Sequence, residues 1–484
     1  MKALSDSVPE ESHVDSVLET FAVNEHEESP QFSEDIGLIE EPAARVSCKD
    51  PFWAVLFLLN VGVVVYLAVR NGGDILKDDF GKKNADWGDG YAMLVVCGAT
   101  AGFAGSLCLL WFWAALRDAE AMVLRSFTLW AAVCAAASLS FLALGQLWLG
   151  FTSLFCCFCV LCLYASAVHC GMGFAAANLS AASQALKAHL GGCAAVMLVA
   201  MGLALAWSAV CLAAALGTLE AIRDSSSSSS GPLSGGAVFL FLVSFYWGGL
   251  VTSNVSHVAV SGAVASWWFR PCASQDSHAL RGALLRSLTR SFGSVCGGSL
   301  LVAVLEATRS VLRAVRGQFR CVACCADCLL SCVEAWVRLV NRFAFVYVAV
   351  YGDSFGAAGE RVNELFTRRG FWTTIMNDWI LSRVFEVGML GIALSSAAFA
   401  FGLSTLVFDI KGNNADVLAV FGLLIGWLLA AVVMGTLNSA VATVYVAFGE
   451  EPEALKRNHP ETFDVLYSGW NQNYPMVTSY ILLV

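Results

Sequence analysis

The feature that most limits what this chain can become is its succession of apolar stretches near 20 residues long, the length a helix needs to cross a bilayer. Within hydrocarbon every backbone amide has to be satisfied by the segment itself, so helices are the structure these stretches can take. A transmembrane barrel would instead show alternating segments of about ten residues, and that pattern is missing. Over 484 residues the chain is 58% hydrophobic and only 14% charged, where a soluble chain carries about 25% charge. The expected fold class is an all-α polytopic membrane protein. About ten spans are expected by length, near 52–69, 91–115, 124–145, 147–168, 190–216, 237–268, 293–312, 333–352, 379–408 and 417–448.

The formal net charge of -10 does not describe the membrane part. Met1 to Ser47 carries twelve acids against Lys2 and Arg45, so this tail accounts for the whole imbalance. Such a segment buries too little apolar surface to fold alone and is expected to be disordered. No basic stripe suits a nucleic-acid partner. The first apolar run begins only near Pro51, which predicts an anchor that stays in the protein rather than a cleaved signal. The expected organisation is an acidic tail over 1–50, a membrane domain over 51–449 and a C-terminal tail over 450–484.

Between the spans, Arg309, Arg313, Arg316 and Arg320 fall on one helical stripe, and Cys321, Cys325, Cys328 and Cys332 repeat the spacing. This predicts one long helix over 310–340, partly at the membrane surface. His278 to Arg290 reads as a short interfacial helix, with Leu280, Leu284 and Leu288 on one face and Arg286 and Arg290 on another. Ser225 to Ser230, followed by Gly231 and Pro232, is a flexible connector. Charge bias leaves the orientation open: Arg281, Arg286, Arg290, Arg361, Arg368 and Arg369 favour a cytoplasmic N-terminus, whereas Lys77, Lys82, Lys83 and the run Arg309 to Arg320 oppose it.

Three stretches in the second half resemble the choline transporter-like family. The first is Tyr246-Trp247, Asn254-Val255, His257-Val258 and Ser261-Gly262, leading to Ala265-Ser266-Trp267-Trp268-Phe269. The second is the glycine-rich Arg290 to Leu300. The third joins Cys324-Cys325, Cys328, Cys332 and Glu334 to Asn341-Arg342-Phe343-Ala344-Phe345 and Val350-Tyr351-Gly352-Asp353-Ser354-Phe355. Phe448-Gly449-Glu450-Glu451-Pro452 through His459-Pro460-Glu461-Thr462-Phe463 is similar to the family's tail. These cover roughly 240–465, and the first half matches in hydropathy only. The short first loop, Asn71 to Gly90, looks like the branch without a long glycosylated loop. The resemblance implies ten spans, cytoplasmic termini, a plasma-membrane location and movement of choline or a related quaternary amine. It implies no cofactor. Departures fall at Ala442 and Glu386, where some relatives carry an acidic and an apolar residue respectively, and at Glu306, where some carry Gln.

Choline carries a fixed positive charge and one hydroxyl, so aromatic faces and a carboxylate are its natural partners. Substrate-contacting candidates are therefore Tyr246, Trp247, Asn254, His257 and Glu306. Each has a structural alternative. Trp267 and Trp268 also offer rings, or sit at headgroups beside Arg270. Asn254 and His257 lie mid-helix, where polar groups bond a neighbouring helix or face a watery cavity. An acid at helix centre costs about 2.5–3.5 kcal/mol to insert, so Glu306 and Glu386 need either a cation or a partner. Arg309 and Arg383, each three residues on, are the nearest partners in sequence. Asp378 near a helix start suits the helix dipole. Thiols in a row on one helix do not make a tetrahedral zinc set, so no metal is expected; packing or acylation fits them better. Gly293, Gly297 and Gly298 fit close helix packing or a thin point for substrate.

The expected function is alternating-access transport of a choline-like cation, with that cation and the bilayer as partners and no enzymatic activity. A membrane scaffold whose acidic tail recruits partners is the alternative. An intramembrane lipid-modifying enzyme using His257 and Asn254 is a further one, without any H-E-x-x-H or G-x-S-x-G motif to support it.

Overall fold

In the computed structural model, the described residues are 48–81, 87–123, 147–225, 231–271, 278–315, 320–368, 379–410 and 412–475, with isolated positions in 124–146 and at 478. Among them the chain is helical and contains no strand. The long helices are α1 (Pro51–Gly81), α2 (Trp87–Arg117), α3 (Leu147–Ala188), α4 (Leu190–Ser225), α5 (Gly231–Phe269), α7 (Phe292–Val315), α8 (Arg320–Tyr351), α10 (Trp379–Leu406) and α11 (Asn413–Glu450). Shorter helices are α6 (Ala279–Thr289), α9 (Phe355–Arg368), α12 (Pro452–Asn458) and α13 (Pro460–Asn473). The acidic segment up to Ser47, the expected span over 124–145 and Asp378 lie outside the described residues.

Among the described residues seven helices are long and apolar enough to cross a membrane: α1, α2, α4, α5, α7, α10 and α11. The protein is therefore an integral, all-α membrane protein. The stretches expected to span at 147–168 and 333–352 are helical, within α3 and α8, but are not among the seven. For α8 the reason is charge: Asp327, Glu334 and Arg338 interrupt its apolar face.

Those charges also correct the reading of 310–340 as one helix. Glu306 contacts Arg338, Arg309 contacts Glu334, and Asn341 Nδ2 donates to the Gly298 carbonyl at 2.9 Å. Rising numbers on α7 meet falling numbers on α8, so the chain reverses and the two helices form an antiparallel hairpin. One helix would have placed these partners tens of ångströms apart.

At the start of α1, Asp50 adopts a left-handed turn with φ of 52° and joins three elements. Its Oδ2 accepts from Ser294 Oγ at 2.6 Å, on α7, and from the Phe355 amide at 3.1 Å, the first residue of α9. A carboxylate suits that helix start because unpaired amides point at it. The Lys49 amide donates to the Arg290 carbonyl at 2.9 Å. The glycine-rich motif makes this approach possible. A methyl group at Gly293 would stand 2.1 Å from the Asp50 carbonyl oxygen, and one at Gly298 would meet the rings of Phe355 and Phe345 within 2.5–2.8 Å. Its role here is close packing. In the following loop Asp353 lies 3.2 Å from Arg361; burial pushes its carboxyl above the ordinary range, and the Arg361 charge acts the other way.

Helix α6 forms where the interfacial helix was expected. Leu280 is buried, Leu284 packs against the core, and Leu285 and Leu288 are exposed. The C-terminal helices dock at the same end of the bundle, and they overturn the reading of Trp267 and Trp268 as headgroup anchors. Both indoles are buried. Trp268 Nε1 donates to the Glu451 carbonyl at 3.1 Å, and Asn458 Nδ2 donates to the Trp268 carbonyl at 3.1 Å. Trp267 stacks on His459, their centroids 4.1 Å apart. Farther along, Trp470 Nε1 donates to Asn178 Oδ1 at 3.1 Å on α3. Burial raises the Glu451 carboxyl above its ordinary range, Glu450 adds to the shift, and Arg457 opposes it.

Candidate functional site

Helix α5 carries four of the five candidate residues, and α7 carries the fifth. Tyr246 OH lies 2.9 Å from Ser310 Oγ, and Ser310 in turn donates to the Glu306 carbonyl at 2.9 Å. Tyr246 is thereby tied to the turn of α7 that bears Glu306. Trp247 is buried; its indole N–H donates to the Cys296 carbonyl at 3.0 Å, and its ring stands edge-on to Phe57 at 5.2 Å. Asn254 Nδ2 donates to Ser299 Oγ at 2.9 Å. Along α5, Asn254 is two turns from Tyr246, roughly 12 Å, so the structure clusters Tyr246 with Glu306 and distributes the others.

His257 joins three helices. Its Nε2 is 3.0 Å from the Arg342 carbonyl on α8, and its Nδ1 is 2.6 Å from Ser439 Oγ on α11. A carbonyl only accepts, so Nε2 carries the proton; in the neutral ring Nδ1 is left as an acceptor for the hydroxyl. The Ser439–His257 spacing is that of a nucleophile and its base. Ser439 is 1% exposed, however, and its hydroxyl also lies 2.6 Å from the Gly435 carbonyl. That arrangement is a helix latch.

The hairpin of α7 and α8 holds the charges. Arg309 Nε donates to Asp327 at 3.2 Å and its guanidinium also binds Glu334. Arg338 Nε donates to Glu334 at 2.9 Å while the rest of its fork contacts Glu306. Arg313 lies 3.6 Å from Asp327. Three acids face three bases. The expected Glu306–Arg309 pair is therefore replaced: Arg309 turns across to α8, and Glu306 takes Arg338. The expected Glu386–Arg383 pair forms, at 2.5 Å, with both side chains about half exposed. Glu306 lies 14 residues into α7, roughly 21 Å from the Asp50 end, well within a hydrocarbon core of about 30 Å. Glu334 is 9% exposed and Glu306 17%, yet Arg338 is 42% exposed. Within a membrane domain, an arginine side chain with that much exposed surface faces a watery cavity or reaches toward the interface.

Asp327, Glu334, Arg338 and Ser439 escaped the sequence reading as site residues. The available signal was the i, i+4 pair Glu334–Arg338 in a helix preceding an apolar run. A lateral groove of about 510 Å3 between α8 and α9 is lined by Trp336, Val340, Val362 and Phe366, and none of the five candidates is among its lining residues. Among the described residues no group of three His, Cys, Asp or Glu side chains is placed to hold a metal, and Cys325, Cys328 and Cys332 are exposed along α8.

A family model described as plasma-membrane choline transporter matches residues 151–453. The chain belongs to that family. The match begins in α3, so family likeness reaches beyond 240–465 into the part that shows only hydropathy to the eye. Among similar proteins are Protein PNS1 of Gibberella zeae, 30% identical with 57% of this chain and 53% of the relative covered. Protein PNS1 of Mycosarcoma maydis is 31% identical, covering 56% and 53%. Protein PNS1 of Neurospora crassa is 32% identical, covering 53% and 47%. The chain spans about half the length of the curated relatives it matches.

Proposed function

We propose that this chain carries choline or a related quaternary amine across the plasma membrane by alternating access. One observation carries the reading: Glu306, an acid within an apolar span, has its carboxylate against the half-exposed Arg338 and its backbone carbonyl linked through Ser310 to the Tyr246 hydroxyl, in a member of the choline transporter family. A quaternary amine offers no proton to an acceptor, so it is drawn by net charge and by aromatic faces, a desolvated cation–π contact contributing about 2 kcal/mol. Glu306 supplies the charge and Tyr246 a ring. Trp247, Asn254 and His257 hold α5 against α7, α8 and α11, and become substrate contacts when those helices part.

The membrane domain makes ten passes in this reading, with 124–145 as the third. Its first and last helices then begin and end on one face, supported by the Asp50 contact to Phe355 and the Tyr347 OH bond to Glu450 Oε1 at 2.6 Å. Arg281, Arg286, Arg290, Arg361, Lys456 and Arg457 belong to the segments at that end, and this positive charge supports a cytoplasmic side for it. Of the opposing run, Arg309 and Arg313 lie within α7 and not in a connecting loop, so they carry little weight in that bias.

The test is uptake of labelled choline into vesicles holding the purified full chain. Saturable uptake is expected, weakened or shifted in pH dependence by Glu306→Gln and unaffected by Cys296→Ser. Wild-type vesicles that accumulate no choline above protein-free controls refute transport. Unchanged rate, affinity and pH profile in Glu306→Gln remove Glu306 from the pathway.

A further inference from the structure

We propose that Arg338 is a tethered stand-in for the transported cation: it occupies Glu306 in the empty site and yields it, without leaving the hairpin, when a substrate cation arrives. The inference rests on the reading of Glu306 as the attracting carboxylate. Its basis is the way one guanidinium spans two acids. Arg338 Nε is bound to Glu334 at 2.9 Å while the other end of the fork contacts Glu306. The planar fork has donors enough for both, and one set can let go while the other holds. Releasing Glu306 therefore does not strand the arginine as an unpaired charge in the membrane.

Charge balance points the same way. Among the described side chains that pair across the hairpin, Glu306, Asp327 and Glu334 match Arg309, Arg313 and Arg338, so this set is neutral in the empty site. Glu334 is also bound by Arg309, and Asp327 by Arg309 and Arg313, which leaves Glu306 as the acid with the single arginine contact. Arg338 keeps an exposed side, 42% of its side chain, toward which the guanidinium can turn. Tyr246 is linked through Ser310 to the Glu306 carbonyl, so the ring proposed to shelter the substrate stands at the turn of α7 that bears the acid the arginine vacates. An unpaired Glu306 would cost several kcal/mol to keep charged between substrates; the stand-in keeps the acid ionised and available.

A stand-in competes with what it stands in for. In vesicle uptake, Arg338→Gln leaves the cluster with one excess negative charge that a monovalent cation neutralises. Its KM for choline should fall by about threefold or more, as when an internal competitor that holds the site most of the time is removed. In a Glu306→Gln background the same change should leave KM where it was. Wild-type uptake should be inhibited competitively by guanidinium ion, which needs no variant and reads out even if Arg338→Gln does not fold. An unchanged or raised KM in folded Arg338→Gln, or inhibition by guanidinium that is absent or lowers only the maximal rate, overturns the assignment of Arg338 while leaving choline transport intact. Absence of wild-type uptake overturns transport itself and this inference with it.

Discussion

Glu334→Gln is the most direct test of the α7–α8 hairpin. The carboxylate is 9% exposed and serves two arginines, Arg309 across the hairpin and Arg338 one turn along α8. Neutralising it leaves two guanidinium groups sharing Glu306 and Asp327, and the cluster changes from neutral to one excess positive charge. Removing one partner of a buried pair costs about 3–5 kcal/mol. Arg309, 16% exposed, is left with Asp327, whereas Arg338, 42% exposed, keeps its exposed side and Glu306. The lower end, about 3 kcal/mol, is therefore expected once the exposed partner is discounted. Asp327→Asn should cost less, about 1 kcal/mol, because Asp327 is 21% exposed and its second partner Arg313 is 55% exposed. Reversible unfolding of the purified full chain in mixed micelles measures both. Glu334→Gln and Arg309→Gln should be strongly non-additive when combined, since each breaks the same contact. If Glu334→Gln unfolds within about 0.5 kcal/mol of wild type, the level of an ordinary surface substitution, the carboxylate does not hold the hairpin together.

Gly293→Val should abolish recovery of monodisperse protein, because its side chain collides with the Asp50 carbonyl, while Gly391→Ala, with open space around it, should be recovered normally; size-exclusion yield checks both. Trp268→Phe loses the bond to the Glu451 carbonyl and should speed limited proteolysis after residue 450, whereas Trp113→Phe, at an exposed indole, should not. Glu451 has a raised carboxyl pKa in the folded protein, so the native state binds the proton more tightly than the unfolded chain, and stability falls as pH rises through the interval between the unfolded and folded values. Glu451→Gln should flatten that fall and leave the protein at least as stable at neutral pH, read as Tm against pH.

The helices were legible because their signal is local. The expected 237–268 lies within α5, which runs from Gly231 to Phe269, and the interfacial helix expected over His278–Arg290 appears as α6, since apolar run length and leucine spacing belong to the segment itself. Pairing between helices was less legible. Glu306 has Arg309 one turn away in sequence, yet α8 brings Arg338 to it from 32 residues on, and Arg309 spends its donors on Asp327 and Glu334. Stripe spacing cannot distinguish one helix over 310–340 from two that fold back, because the stripe is the same in both. Where Glu386 had no competing helix, the local pair with Arg383 formed as expected. Trp267 and Trp268 mislead for the same reason: tryptophan beside arginine at a helix end suits a headgroup region, and only the docking of Glu451, Asn458 and His459 shows the rings to be covered. Of the candidate site, the residue types were readable on α5, and their partners were not.

The balance of charge in the hairpin has a consequence for biogenesis. Helix α7 alone carries Glu306, Arg309 and Arg313, and the facing part of α8 carries Asp327, Glu334 and Arg338. Released singly from the translocon into lipid, each would bring charges that cost about 2.5–3.5 kcal/mol apiece at mid-bilayer, with a surplus of opposite sign on the two. Together they cancel. Leaving the translocon laterally as a pair would spare both helices that cost.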